Sequence, residues 1–402
     1  MNSICLYNAT ILSGYAVMER CSVLINGATI AEVFQEHRNK QRHFGPETKL
    51  IDLGGSYLVP GFIDTHIHGY GGYSIDDAVY PEPKPENEVI NSMVEMSRLL
   101  VKHGVTAFNP TLYPLSGETM LIAVEKIVSA MGKEDGARIM GLHLEGPFLS
   151  PAKLGVQRPE TVSPVDLGYM ERLYRASKGK IVNMTVAPEL PNVRELALYC
   201  AEKGITLQAG HTEARYEDMI EGMQAGIFHA THMFNAMSKL DQRNPNAVGA
   251  ILTHPEFSCE IIADGIHVHP ILIKLLAQNK NSDKIVLVTD SLKCTGVEKG
   301  PLYANGEEMA FSGLYRRKSD DVIAGSALTM IRGVENLVQF GFNLENAVKA
   351  ASFNPANVMR YSKKGKIVPG MDADICVFDK DYNVLLTMVA GEIKYDNLNT
   401  II

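Results

Sequence analysis

The stretch VPGFIDTHIHG, residues 59–69, is an apolar run that ends in two histidines, His66 and His68. Side chains two positions apart on a β-strand point to the same face, so a strand here would bring both imidazoles to one spot. Neutral imidazole is a common ligand of zinc and similar ions, which makes a metal site one interpretation. The other is a solvent-facing strand end with two unrelated histidines. The rest of the chain decides between them.

Short β-rich segments recur along the chain, and helical patterns separate most of them. Residues 86–104, for example, have apolar residues at helical spacing and end on Gly104, after which VTAFNPT (105–111) has the pattern of a buried strand. With YLVPGFIDTHIH (57–68), there are eight such segments; the other six are RIMGLHLEG (138–146), KIVNMTVAPE (180–189), GITLQAGH (204–211), GIFHATHMF (226–234), FSCEIIADG (257–265) and KIVLVTD (284–290).

Eight strands with intervening helices predict parallel βα units closed into a (β/α)8 TIM-like barrel. The competing architecture is an open doubly wound sheet, but no Gly-rich dinucleotide fingerprint follows any of the strands. Residues 1–57 and 365–402 differ from the middle, since they contain short strand-like runs with turn signals. We therefore expect a small β-domain built from both termini, and a barrel catalytic domain over residues 58–364.

The overall composition is that of a folded globular protein. Apolar residues make up 46% of the 402 residues, and the net charge is −8, without a basic patch for nucleic acid or anionic lipid. The six cysteines are scattered, without a C-x-x-C pair, which argues against a disulfide framework and predicts buried cysteines. No signal-peptide pattern and no run of ~20 apolar residues is present. These features predict a cytoplasmic protein that binds neither membranes nor nucleic acid.

Metal-ligating residue types follow five other predicted strands in addition to the first. Active sites of (β/α)8 barrels lie at the carboxyl ends of the strands, so these side chains are expected to converge. Imidazole nitrogens and carboxylate oxygens are ligands that zinc and ferrous iron accept. Taken singly, each could instead cap a turn or begin a helix, but together their corresponding positions favour a shared site. The residues are His143 and Glu145, His211, His232, Asp264 and His267, and Asp290.

Two histidines near these positions are assigned differently. His229 lies three residues before His232, so we expect it to face the other side of its strand as a packed or surface residue. His143 shares a face with Glu145 and either supports the site or is a core histidine.

Seven motifs, in order and over nearly the whole chain, carry a family resemblance. They are PGFIDTHIHG, HLEGPF, AGHTEA, THMFNAM, IADGIHVHP, VTD and AGSALTM. Together they resemble the amidohydrolase superfamily and, within it, the N-acetylglucosamine-6-phosphate deacetylase family. The resemblance implies a distorted (β/α)8 barrel, a small β-domain, a homodimer and hydrolysis of the N-acetyl group of an amino sugar phosphate to acetate and glucosamine 6-phosphate.

The resemblance also implies roles for individual residues. It makes Glu145, His211 and His232 the main ligands of a divalent ion, with zinc or iron expected. His66 and His68 match positions that some relatives fill with Gln and Asn and others keep for a second ion, so one or two ions per chain are expected.

For the reaction itself, the resemblance makes Asp290 the catalytic acid/base at the metal centre. It makes His267 the histidine that assists the substrate carbonyl. Asn235 and Ala236 match the loop whose backbone meets the sugar phosphate, and Arg243 matches an arginine that reaches the phosphate in the neighbouring subunit.

Two positions depart from the family pattern. Gln157 stands where many relatives have a histidine that contacts the substrate, and Asp241 adds negative charge two residues before Arg243. Both bear on the identity of the sugar. Three alternatives stay open: deacetylation of another sugar such as N-acetylgalactosamine 6-phosphate, a different amidohydrolase reaction, and a metal-free barrel scaffold.

Overall fold

The computed structural model describes residues 3–35, 44–80 and 83–398. Within these ranges the strands are β1 (Ser3–Leu12), β2 (Val17–Asn26), β3 (Thr29–Gln35), β4 (Thr48–Asp52), β5 (Tyr57–Pro60), β6 (Phe62–Ile67), β7 (Gly69–Tyr70), β8 (Tyr73–Ser74), β9 (Val105–Leu112), β10 (Arg138–Ile139), β11 (Leu142–Glu145), β12 (Ile181–Val186), β13 (Thr206–Ala209), β14 (His229–Ala230), β15 (Ser258–Ile262), β16 (Ile285–Val288), β17 (Leu302–Ala304), β18 (Glu307–Phe311), β19 (Tyr315–Arg317), β20 (Ile375–Phe378), β21 (Val384–Val389) and β22 (Glu392–Asp396).

Helices alternate with the strands through the middle of the chain. They are α1 (Glu86–Leu100), α2 (Gly117–Val128), α3 (Leu167–Ala176), α4 (Val193–Lys203), α5 (Tyr216–Ala225), α6 (Asn246–Thr253), α7 (Pro270–Asn279), α8 (Met330–Gln339), α9 (Leu344–Ala351) and α10 (Phe353–Val358). None of the helices in the described ranges is both long enough and apolar enough to cross a membrane.

Eight parallel strands form a nearly closed barrel, as predicted. Their order is β6, β9, β11, β12, β13, β14, β15 and β16, and the short β10 adds to the side of β9. An open doubly wound sheet is therefore excluded. All eight predicted strand segments contribute, and the strands are buried along their length because helices cover the outer face.

The barrel closes between β16 and β6 through the backbone at its mouth. The N–H of Asp290 donates to the carbonyl of His66 (2.9 Å), and the N–H of His68 donates to the carbonyl of Ser291 (2.9 Å). These two bonds tie the end of the last strand to the end of the first. They bring Asp290 beside the two histidines of the opening motif.

A second, eight-stranded sheet contains strands from both ends of the chain. Its order is β22, β21, β20, β5, β1, β2 and β3, with β4 paired to β1. It has its own apolar core, which includes Leu6, Ile11 and Val377. Strand β5 belongs to this sheet and runs to Pro60, beyond the predicted boundary at residue 57. The division into domains at residues 57/58 and 364/365 remains a prediction.

Local sequence explains where the first barrel helix ends. Helix α1 buries Val89, Met93 and Met96 on one face, and a short 3-10 turn continues it. Gly104 follows with φ of 79°, a left-handed conformation that favours glycine at a helix C-terminus. The chain then enters β9, as the pattern of apolar residues predicts.

The three-stranded sheet β17–β18–β19 was not predicted. It follows β16 and packs an apolar cluster that includes Tyr113, Leu292 and Tyr315. Its strands are three to five residues long and partly exposed, so they lack a clear alternating pattern. The six cysteines are all buried, as expected.

Candidate metal centre

The carboxylate of Glu145, at the end of β11, lies at the centre of the converging side chains. Its Oε1 is 3.1 Å from His211 Nε2 and 3.1 Å from His232 Nε2, and the two imidazole nitrogens are also 3.1 Å apart. The three residues are 2–4% exposed. One side-chain atom at the end of β11 and two from residues just after β13 and β14 therefore face one point, and the sequence predicted that these residues converge.

The two histidines of the opening motif join the same cluster from β6. His66 Nε2 is 3.5 Å from Glu145 Oε1 and 3.5 Å from Asp290 Oδ1. His68 Nε2 is 3.6 Å from Glu145 Oε2 and 3.2 Å from Asp290 Oδ1. The ligand atoms thus form two groups that share Glu145, one with His66 and His68 and one with His211 and His232.

Three of these side chains leave the strand ends from an unusual backbone conformation. His211, His232 and Asp290 have φ of 46°, 28° and 49°. A left-handed conformation is unfavourable for residues with a Cβ and is concentrated at functional sites. It turns the three side chains into the mouth of the barrel.

Backbone and side-chain acceptors orient three of the four histidines from behind, while Nδ1 of His232 is buried without a hydrogen-bond partner among the described residues. Nδ1 of His68 lies 2.9 Å from the carbonyl of Thr111, and Nδ1 of His211 lies 2.8 Å from the carbonyl of Lys153. Nδ1 of His66 lies 3.0 Å from Oε2 of Glu260. A carbonyl or carboxylate on Nδ1 fixes the proton there and leaves Nε2 free to bind a metal.

The electrostatics of the cluster favour a bound positive charge. Burial alone lowers the pKa of His66, but the negative charges of Asp290, Glu260 and Glu145 outweigh it and raise that pKa to about 10. Burial also raises the pKa of Glu145, yet His211 and the other histidines hold it well below its usual range. A proton or a metal ion can supply the missing charge.

The residues present fit a divalent metal ion. Nε2 of His66 is fully buried and has no hydrogen-bond partner among the described residues. Its lone pair is therefore available to bind a metal ion. The set of imidazole nitrogens and carboxylate oxygens suits zinc or ferrous iron. The structure thus provides groups that could hold an ion.

His267 lies at the rim, after β15, with both ring nitrogens in contact with oxygen. Nδ1 is 2.6 Å from Asp264 Oδ2, and Nε2 is 3.1 Å from the carbonyl of Ala324. Burial lowers the pKa of His267, but the contact with Asp264 outweighs it and raises the pKa. Asp264 therefore orients His267 and does not itself reach the ligand cluster.

A cavity of about 270 Å³ opens over the cluster. His267 and Asp290 line it, together with Asn235 and Ala236 from the loop after β14. Gln157 also lines it, but its Nε2 donates to Oε2 of Glu145 (2.7 Å). Gln157 therefore touches a predicted metal ligand as well as the space a substrate would enter.

Arg243 is exposed and does not line this cavity. Oδ1 of the neighbouring Asp241 accepts hydrogen bonds from the backbone N–H groups of Arg243 and Asn244. Asp241 thus stabilises the turn of the loop. The sequence predicted Arg243 at the site of a neighbouring subunit, and a single chain does not test that role.

His143 and His229 are both buried core residues. His143 lies between Thr111 Oγ1 (3.1 Å from Nδ1) and Thr185 Oγ1 (2.9 Å from Nε2), so neither nitrogen is available to a metal. Nδ1 of His229 is 2.7 Å from Ser258 Oγ, in keeping with the packed alternative.

Three residues that support the cluster were not predicted from the sequence. Glu260 is fully buried in β15 beneath His66, and the ring of Tyr113 stacks on His68 with centroids 3.7 Å apart. Asp64 accepts a hydrogen bond from Thr289 Oγ1 (2.6 Å), and burial raises its pKa to about 7. The signal for Glu260 and Asp64 was a carboxylate inside a predicted barrel strand; Tyr113 gave none.

Comparison with known sequences gives consistent matches. Residues 57–394 match the model of the amidohydrolase family. The chain is 32% identical over 400 residues to the N-acetylglucosamine-6-phosphate deacetylase of Bacillus subtilis (strain 168), covering 98% of this chain and 97% of that protein. It is also 32% identical over 355 residues to the human protein of the same name, covering 86% of this chain and 85% of that one.

Solved structures of similar proteins share the whole architecture. The N-acetylglucosamine-6-phosphate deacetylase of Pasteurella multocida superposes with a TM-score of 0.88 at 28% identity, covering 98% of this chain and all of that one. A mutant of the Mycobacterium smegmatis enzyme in complex with N-acetyl-D-glucosamine-6-phosphate gives a TM-score of 0.87 at 27% identity, with the same coverage.

Proposed function

We propose that this chain, which belongs to the amidohydrolase family, is an N-acetylglucosamine-6-phosphate deacetylase that releases acetate and glucosamine 6-phosphate. The observation that supports this activity most strongly is the convergence of Glu145, His211 and His232 within 3.1 Å of one another under an open cavity. The full-length similarity to deacetylases of the same name points to the same substrate.

We propose that Glu145, His211 and His232 hold one divalent ion, zinc or iron, and that His66 and His68 hold a second with Glu145 and Asp290. A divalent ion supplies hydroxide at neutral pH, because it lowers the pKa of water from ~15.7 to about 7. The protein's contribution is to fix the ligands, exclude bulk water and place its own proton donors and acceptors around the amide.

Asp290 is the group proposed to move the proton. Its carboxylate lines the cavity and lies 3.2 Å from His68 and 3.5 Å from His66, which face the ligand cluster. It would accept the proton of the attacking water and return it to the amine nitrogen, since an unprotonated amine anion is a poor leaving group.

His267 is proposed to stabilise the carbonyl oxygen of the amide. Asp264 Oδ2 and the carbonyl of Ala324 both accept, so His267 is assigned as the imidazolium, which donates from Nδ1 to Asp264 and keeps a second proton on Nε2 to donate towards the cavity. A preorganised donor of this kind stabilises the charge that develops on the oxygen in the transition state. In the structure that proton is donated to the carbonyl of Ala324, so substrate would replace this partner.

For the phosphate we propose the loop after β14 together with Arg243 of a second copy of the chain. The N–H of Asn235 donates to the carbonyl of His232 (3.0 Å), so the N–H of Ala236 is the proposed backbone donor. Leu240, in the loop of Arg243, and Ile271 of α7 are 54% and 64% exposed. Burial of these side chains between two copies would stabilise a homodimer. Because sugar phosphates do not cross membranes unaided, we propose a cytoplasmic location.

The direct test is acetate release by the metal-loaded protein from a set of N-acetylated sugars. We expect the highest kcat/KM on N-acetylglucosamine 6-phosphate, with lower values on N-acetylgalactosamine 6-phosphate and on unphosphorylated N-acetylglucosamine. Preference for the galacto epimer would assign a different sugar. Absence of acetate with every substrate would exclude a deacetylase.

Replacement of Asp290 by Asn should keep the fold and abolish most of the turnover. Asn preserves the shape of Asp but cannot carry the proton, a role typically worth ~10² to 10⁴-fold in rate. Acetate release by metal-loaded Asp290→Asn is compared with that of Asp381→Asn, a change at an exposed carboxylate of the terminal region. Near-normal turnover of Asp290→Asn would exclude Asp290 as the acid/base.

Replacement of Arg243 by Ala should weaken activity on the phosphorylated sugar only. A charged hydrogen bond contributes roughly 1.5–3 kcal/mol, so its loss should lower kcat/KM on the order of 10 to 100-fold. Arg194→Ala, at an exposed position of α4, is the matched control and should behave as wild type. Equal losses on the phosphorylated and unphosphorylated sugar would show that Arg243 does not bind the phosphate.

A further inference from the structure

A row of hydrogen-bonded side chains, named the amide file, crosses the interior of the barrel below the ligand cluster. Tyr361 Oη donates to Asn109 Oδ1 (2.8 Å), and Asn109 Nδ2 donates to Asn183 Oδ1 (3.2 Å). Asn183 Nδ2 then donates to Gln208 Oε1 (2.6 Å), and Gln208 Nε2 donates to Glu260 Oε1 (2.7 Å). The last four residues are fully buried. Each amide accepts on oxygen and donates on nitrogen, so the file has one direction.

The file ends on a carboxylate that meets donors on every side. Oε1 of Glu260 accepts from Gln208, while Oε2 lies 3.0 Å from His66 Nδ1 and 3.2 Å from the backbone N–H of His232. An ionised carboxylate is the side-chain group that only accepts. Because the amide file and the backbone both present N–H groups to Glu260, His66 completes the arrangement by donating from Nδ1.

The proton on Nδ1 determines what His66 can bind. A neutral imidazole with its proton on Nδ1 carries a lone pair on Nε2, and Nε2 of His66 is the buried atom that faces Glu145 and Asp290 without a hydrogen-bond partner among the described residues. A carboxylate behind a ligating histidine orients the ring and raises its basicity.

We propose that Glu260, held by the amide file, is the positioning residue that makes His66 a metal ligand and so fills the second metal position. The proposal rests on the function proposed above only for the presence of a metal. It assigns Glu260 no contact with substrate. Its consequence is that metal occupancy at His66 and His68 depends on the direction of hydrogen bonds that begin at the far side of the barrel interior.

Glutamine at position 260 tests this dependence, because it has nearly the shape of glutamate but also donates. If its amide oxygen faces His66, its NH2 group meets the NH2 group of Gln208; if it is turned round, its NH2 group meets Nδ1 of His66 and the N–H of His232. Either way two donors oppose each other unless Asn109, Asn183 and Gln208 all turn round, and that reversal would place Oδ1 of Asn183 against the carbonyl of Thr65, to which its Nδ2 now donates (3.4 Å). We expect Glu260→Gln to fold and to lose the second ion.

A double variant restores the direction of the file. In Glu260→Gln/Gln208→Glu, the carboxylate introduced at position 208 would accept from Asn183 and from the new amide at position 260, whose oxygen would again accept from His66 and His232. The carboxylate moves one place along the file while each remaining donor keeps an acceptor. We expect this variant to regain the second ion.

The measurement is the number of zinc ions bound per chain. Each protein is equilibrated with the same free zinc concentration, and its bound zinc is then determined by elemental mass spectrometry. We expect two for the wild type, one for Glu260→Gln and two for the double variant. His66→Gln/His68→Asn gives the value for a chain without the second position, and Glu256→Gln, at an exposed glutamate, should keep two. Thermal unfolding, monitored by circular dichroism, verifies that each protein is folded.

Several results would overturn the proposal. They are a wild type that never binds more than one ion, Glu260→Gln with two ions, and a double variant that binds one ion or does not fold. Metal content is independent of turnover. If the wild type holds two ions but releases no acetate from any N-acetylated sugar, the proposed function fails while the role of Glu260 stands.

Discussion

The buried carboxylate of Glu145 is the group on which the rest of the site depends. Four imidazole nitrogens, from His66, His68, His211 and His232, lie within 3.6 Å of its oxygens. A buried carboxylate is costly without compensating positive charge or hydrogen bonds, so the histidines and any bound cation stabilise Glu145 as much as Glu145 holds them. The mouth of the barrel is therefore organised around the charge of Glu145, which imidazoles from three strand ends surround.

This constraint explains why polar groups continue into the barrel interior. Three of the four histidines have a hydrogen-bond partner on Nδ1, whereas Nδ1 of His232 has none among the described residues, and buried partners need acceptors and donors of their own. Nδ1 of two of the four histidines lies against a backbone carbonyl, so these two need no additional buried polar side chain. His66 instead uses the carboxylate of Glu260, and the amide file behind Glu260 satisfies the remaining acceptor capacity. The barrel core thus serves the chemistry at its mouth.

The sequence predicted the elements that carry periodic signals and the residues that follow them. Eight apolar segments with helical patterns between them predict the barrel, and the types of residue at their ends predict the cluster of Glu145, His211 and His232. Glu260 was not predicted because it lies inside a strand. Its role depends on which side chains of other strands it meets in the barrel interior, such as His66 and Gln208. The sheet β17–β18–β19 was missed because short, partly exposed strands lack a periodic signal. Contacts between distant parts of the chain, such as His66 with Glu260, follow only from the folded structure.

X-ray diffraction from crystals of the zinc-loaded protein, recorded on both sides of the zinc absorption edge, tests the central claim most directly. An anomalous-difference peak at the point shared by Glu145 Oε1, His211 Nε2 and His232 Nε2 is the predicted result. Absence of a peak there, with zinc bound elsewhere or not at all, would contradict the assignment of this cluster as the metal centre.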